Sequence, residues 1–129
     1  MEEHELAGLA RRVAEGAYAP YSGFRVGAVA VGENGETFTG VNVENASYAV
    51  TTCAEAAAVI TAVAEGLRKI DTVAVACIDS DDVEGSYPCG RCRQVMSEFD
   101  VETVIVTGAE GTEVRVHTLD ELFHHRFDL

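Results

Sequence analysis

Two short stretches hold residue types that can do hydrolytic chemistry: Cys53-Ala54-Glu55 and Pro88-Cys89-Gly90-Arg91-Cys92. Cysteines three apart at the start of a helix share a face, so Cys89 and Cys92 can aim both sulfurs at one atom. Cys53 stands at the start of a second predicted helix. If the two helices meet N-terminus to N-terminus, their partial positive ends favour three thiolates. Three thiolates suit Zn²⁺, whose fourth tetrahedral position then stays open to water, as in catalytic rather than structural sites. Glu55, two residues after Cys53, can stand beside that water without binding metal, where a carboxylate takes a proton and returns it to a substrate. Taken alone, CxxC also fits a redox dithiol or a zinc knuckle, and Glu55 alone fits a solvated helix carboxylate. The conjunction is far more specific than either part. No fourth ligand is evident, since His117, His124 and His125 all fall in the C-terminal segment.

The elements that must bring these residues together can be read from periodicity. Leu6, Leu9, Ala10, Val13 and Ala17 recur at helical spacing and predict an amphipathic helix over 2–17. Pro20 and Gly23 break it. FRVGAVAVG and TFTGVNV flank Asn34-Gly35, which predicts a hairpin over 24–43. The alanine-rich stretch from Thr52 to Glu65 reads as a helix that is apolar nearly all round, hence central. TVAVACI is a short, continuous apolar run, the pattern of a fully buried strand, and Cys77 within it reads as inert core. CGRCRQVMSEF predicts a third helix with Cys89 at its mouth; VETVIVTG and TEVRVHT predict two more strands, and LDELFHHRF a short C-terminal helix or turn. The order α-β-β-α-β-α-β-β-α implies a single domain over 1–129 of three-layer α/β/α class, built around a mixed sheet of about five strands.

Composition narrows the classes of function. The chain has 129 residues, 47% of them hydrophobic, enough for one core and too many for a disordered chain. Twenty-two acidic residues against nine basic ones give a net charge of −13, which opposes polyanion binding because nucleic-acid affinity rests on Lys and Arg. Lys69 is the single lysine, and the acids are spread along the whole chain. Such a surface repels itself at low salt and is screened at high salt, so it suits a salt-rich, halophilic cytoplasm. No apolar stretch approaches the ~20 residues of a membrane span, and the acidic N-terminus lacks the pattern of a secretory signal. The expectation is a cytoplasmic protein without membrane or nucleic-acid partners.

A ligand-x-Glu motif followed by P-C-x-x-C is the layout of zinc nucleobase deaminases. Over nearly its whole length the sequence resembles the small homotetrameric cytidine deaminases, through YAPYSGFRVGAV, GVNVENASY, CAE, PCGRCRQV and the closing ELFHHRF. Deaminases of deoxycytidylate or guanine are similar but usually carry His where this chain has Cys53. The resemblance implies a cytidine deaminase-like fold and hydrolysis of cytidine and 2′-deoxycytidine to uridine and 2′-deoxyuridine, with release of ammonia. It implies one Zn²⁺ per chain with a catalytic water, Cys53, Cys89 and Cys92 as ligands, and Glu55 as proton shuttle. It also implies that Asn42 and Glu44 bind the ribose, that Phe24 packs on the pyrimidine face and that Ala54 contacts substrate. Ala46 and Tyr48 match a segment reaching an adjacent subunit's ribose, and Phe127 an aromatic closing over the base from a neighbour. A homotetramer with shared sites follows from those matches.

The sequence departs from the family pattern in three places. Ala56 stands where Arg commonly follows the catalytic Glu, Arg91 stands where Ala commonly separates the late cysteines, and the C-terminal segment reads Leu122-Phe123-His124-His125-Arg126-Phe127. Arg91 could supply, from the opposite ligand segment, the charge that Ala56 does not. The rival readings are a deaminase of a related aminopyrimidine nucleoside such as blasticidin S, and a non-catalytic zinc- or nucleoside-binding module.

Overall fold

Leu6, Ala7, Ala10 and Ala14 form one apolar stripe, and burying it makes α1 (Glu3–Ala14). The Glu2 carboxylate accepts the Glu5 amide at 2.8 Å and caps its start. The helix ends short of the predicted residue 17 because the chain must turn back, with the Tyr18 amide donating to the Asn42 carbonyl at 3.0 Å. The buried stripe therefore uses Ala7 and Ala14, while Val13 lies at its margin.

The computed structural model describes residues 1–129. β1 (Val26–Gly32) and β2 (Thr37–Val41) form the expected antiparallel hairpin, with Gly35 at φ 86° in its turn. α2 (Ala54–Ala64) follows, then β3 (Ile70–Cys77), α3 (Gly90–Glu98), β4 (Thr103–Thr107), β5 (Val114–Thr118) and the single-turn α4 (Leu119–Leu122). The sheet order is β2-β1-β3-β4-β5, with β3 and β4 parallel and every other pair antiparallel. A parallel pair requires a crossover, and α3 supplies it. No helix is long and apolar enough to cross a membrane.

Strand parity sorts the core. Ala28, Ala30, Val73, Val75, Val104 and Val106 face α2, α3 and α4, whereas Val29, Ala74, Ala76 and Ile105 face α1. The three layers are therefore uneven, with α1 alone on one side and the cysteine-bearing helices together on the other. One expectation needs correction: α2 is not enclosed all round. Its inner face carries Ala54, Ala58, Val59 and Ala62, but Ile60 is 56% exposed and Thr61 and Ala64 face outward.

Two glycines set how closely the helices approach. A Cβ on Gly27 would lie 2.3 Å from the Ala10 carbonyl oxygen, and one on Gly40 would lie 2.3 Å from the Ala58 amide nitrogen. Neither backbone can yield without moving its helix. Gly40→Ala is therefore expected to destabilise the fold by at least the ~1–3 kcal/mol of core overpacking. Because α2 carries Cys53 and Glu55 at its start, the same change should also weaken the site. A urea titration with an unchanged midpoint would contradict this packing account.

Candidate active site

Cys53 is the residue capping α2 and Cys89 the one capping α3, both with extended backbone, while Cys92 lies within the first turn of α3. Neither Cys53 nor Cys89 spends its side chain on a capping hydrogen bond. Their three sulfurs lie within 4.8 Å of one another. Tetrahedral Zn²⁺ with Zn–S bonds of ~2.3 Å spaces its sulfurs ~3.8 Å apart, so the donor set fits zinc with little closure. The group consists of Cys53, Cys89 and Cys92. Cys77 is buried at the end of β3, outside the cluster, and all four cysteines are free thiols.

Two of the thiols differ in how readily they ionise. The Cys53 thiol is held below its ordinary value, chiefly because Cys92 donates a hydrogen bond to it, with help from Cys89 and from the Arg91 guanidinium. Cys92 is correspondingly held up, as the donor to Cys53 and by burial. Arg91, although solvent-exposed, thus acts electrically on a sulfur carried by the other helix.

Glu55 occupies the first turn of α2 and is only 6% exposed. No other side chain hydrogen-bonds its carboxylate, which borders a cavity of about 190 Å³ shared with Cys53, Cys89, Ala54 and Asn42. Burial pushes its pKa up to about 7, the nearby Cys53 adding to the rise against a hydrogen bond from its own backbone. A carboxyl that holds and releases a proton near neutrality suits general acid–base work. The cavity is below the ~300–1,000 Å³ of typical ligand sites.

The remaining expected residues divide between the wall and the mouth. Asn42 is buried in the wall, where Oδ1 accepts the Val26 amide and Nδ2 donates to the Phe24 carbonyl, both at 2.9 Å. One N–H and one lone pair stay available. The Glu44 carboxylate is outside the wall and organises the preceding turn: it accepts the Tyr21 amide at 2.9 Å, the Ser22 amide at 3.1 Å and the Ser22 hydroxyl. Those bonds from Ser22 hold its pKa below the usual carboxylate range. Phe24 is half exposed and Ala46 exposed. Tyr48 is 75% exposed, its ring edge-on to Tyr21 at 6.3 Å. Phe127 is 68% exposed and stands apart from the cavity, with its carbonyl accepting from Gln94 at 3.3 Å.

Five wall residues escaped the sequence reading as site residues: Val26, Thr51, Gly85, Ser86 and Tyr87. Val26 was legible only as part of the hairpin strand, which the sequence starts at Phe24 and the structure at Val26. The run Gly85-Ser86-Tyr87, directly before the cysteine motif, was a signal of position only.

Comparison with known proteins agrees with this geometry. Residues 1–108 match the family model for the cytidine and deoxycytidylate deaminase zinc-binding region. The chain belongs to the cytidine and deoxycytidylate deaminase family. Among members of that family, it is 40% identical over 128 residues to the cytidine deaminase of Halalkalibacterium halodurans, covering 98% of this chain and 95% of the relative. It is 41% identical over 126 residues to the cytidine deaminase of Mycobacterium tuberculosis, covering 96% of this chain and 88% of the relative. The crystal structure of cytidine deaminase from Burkholderia pseudomallei superposes with a TM-score of 0.90 at 40% identity, over 98% of this chain and 100% of the other. The cytidine deaminase fold is thereby shown, and it is the α/β class expected from the element order.

Proposed function

We propose that residues 1–129 act as a cytidine deaminase domain, hydrolysing cytidine and 2′-deoxycytidine to uridine and 2′-deoxyuridine with release of ammonia. The observation that carries this reading is the placement of Glu55. A buried carboxylate with no side-chain partner borders the same small cavity as two of the three convergent thiols. A redox dithiol leaves Cys53 and Glu55 without a role, and a binding module has no use for a buried carboxylate that no other side chain holds.

On this reading Cys53, Cys89 and Cys92 hold one Zn²⁺ per chain. Bound zinc supplies Lewis acidity, lowering the pKa of a catalytic water toward ~7. Glu55 accepts one proton of the water that attacks C4 and passes it to N3; it then takes the second proton from the new C4 hydroxyl and delivers it to the leaving amine as C4=O forms. One water is consumed and one ammonia leaves. Ala54 borders the base, Asn42 offers its spare N–H to a sugar or base oxygen, and Phe24 covers the pyrimidine face. Glu44 serves the ribose from the mouth while holding the turn that carries Phe24. The exposure of Ala46, Tyr48 and Phe127 supports roles across subunit boundaries in a cytoplasmic homotetramer. The ligand is a small nucleoside; the charge of −13 argues against nucleic acid.

A substrate panel tests the assignment. Cytidine and 2′-deoxycytidine are expected to turn over at least tenfold faster, by kcat/KM, than deoxycytidylate or blasticidin S. A faster blasticidin S reaction would move the proposal to that substrate.

Three thiolates give Zn²⁺ a net charge of −1, and Arg91 is proposed to offset it where Ala56 cannot. Arg91→Ala is expected to weaken zinc binding by about tenfold, within the ~10–100-fold seen when groups supporting metal ligands are lost, and to slow turnover. Chelator competition and initial rates measure both. If neither moves, Arg91 is only a solvated arginine.

A further inference from the structure

An extended side-chain network surrounds Tyr87, two residues before Cys89. The register of β5 pairs His117 with Val104 and Arg115 with Val106, so both polar side chains point to the face that carries α2 and α3. The Tyr87 hydroxyl meets both, at 2.7 Å from His117 Nε2 and 3.3 Å from Arg115 Nη1. Arg115 is held in turn by Glu84 at 2.6 Å and Glu113 at 2.8 Å. His117 Nδ1 lies 3.3 Å from Glu121, which also completes the cap of α4. A guanidinium only donates, so the phenol oxygen accepts from Arg115, and the phenol proton is free to be donated to Nε2. In the tautomer that accepts the phenol at Nε2, His117 carries its proton on Nδ1, toward Glu121.

The neighbours of Tyr87 are pinned as well. The Ser86 hydroxyl accepts the Cys77 amide at 3.1 Å, and the Pro88 carbonyl accepts Arg93 Nε at 2.9 Å while the same guanidinium reaches the Leu122 carbonyl. Cys89 needs such support: it is the exposed member of the three thiols, and its side chain makes no capping bond. We infer that His117 is a positioning residue for the metal site, acting through Tyr87 to hold Cys89 in line with Cys53 and Cys92. The β5–α4 segment, which supplies no ligand, thus sets the geometry of one. This inference rests on the proposal that the three cysteines hold zinc.

The test is zinc release to a chromogenic chelator from the full chain loaded with zinc, which requires no turnover. His117→Ala and Tyr87→Phe are each expected to release zinc about tenfold faster than wild type. The double variant should be no faster than either single, since both break one linkage. His117→Gln should restore near-wild-type release, because its amide oxygen still accepts from the phenol. Wild-type release from His117→Ala and Tyr87→Phe, or multiplying effects in the double variant, would overturn the inference. If His117→Ala does not fold, the Tyr87→Phe and His117→Gln pair decides in its place. Zinc-loaded protein that fails to deaminate cytidine but shows this pattern would refute the proposed reaction alone; protein that takes up no zinc would overturn both.

Discussion

Glu55→Ala is expected to fold, to hold a full complement of zinc, and to lose cytidine turnover by about 10⁴-fold, the upper end of what one general acid–base group contributes. The loss should reach that end because one carboxylate serves successive proton transfers at water, ring nitrogen and leaving amine. Its environment leaves no substitute: the other polar side chains of the wall, Asn42, Thr51, Ser86 and Tyr87, offer no second carboxylate or imidazole. The variant should also be at least as stable as wild type, since a buried carboxylate without a side-chain partner costs free energy in the fold. Glu55→Gln, which keeps the shape but cannot shuttle a proton, should lose nearly as much. Initial rates at saturating cytidine, with zinc determined on the same samples, check the prediction. Activity within tenfold of wild type would remove Glu55 from the mechanism.

Loss of a cysteine ligand should be as visible, with a different signature. Cys89→Ala is the cleanest choice because Cys89 is exposed, so its truncation opens no core cavity. Bound zinc is expected to fall well below one per chain. Turnover should drop by more than the ~10–100-fold that follows loss of groups merely supporting a ligand. Cys77→Ala provides the contrast: that thiol is buried at the end of β3, outside the cluster, so the change should lower stability and leave zinc content unchanged. Equal zinc in the Cys89→Ala and wild-type proteins would exclude Cys89 as a ligand.

The cysteine and glutamate constellation was legible because helix geometry is local. Cys89 and Cys92 share a face whatever surrounds them, and a residue that caps a helix places its side chain at the positive end. The strand order within the hairpin was legible from Asn34-Gly35 for the same reason. What periodicity could not convey depends on contacts between distant segments. Asn42 spends half its amide on the backbone of Phe24 and Val26, and Glu44 is largely occupied with Tyr21 and Ser22, neither of which follows from GVNVEN alone. The link from Tyr87 to His117 joins positions 30 residues apart through strand register. The apolar composition of α2 suggested enclosure, but packing on one sheet buries only one side of a helix, so Ile60 stays outside.

The most direct measurement is the fall in cytidine ultraviolet absorbance on incubation with zinc-loaded protein, with released ammonia determined on the same sample. The account predicts loss of the cytidine band and one ammonia for each uridine formed, in wild type and not in Glu55→Ala. An unchanged spectrum from folded protein containing about one zinc per chain would contradict it, leaving a metal centre without the proposed chemistry.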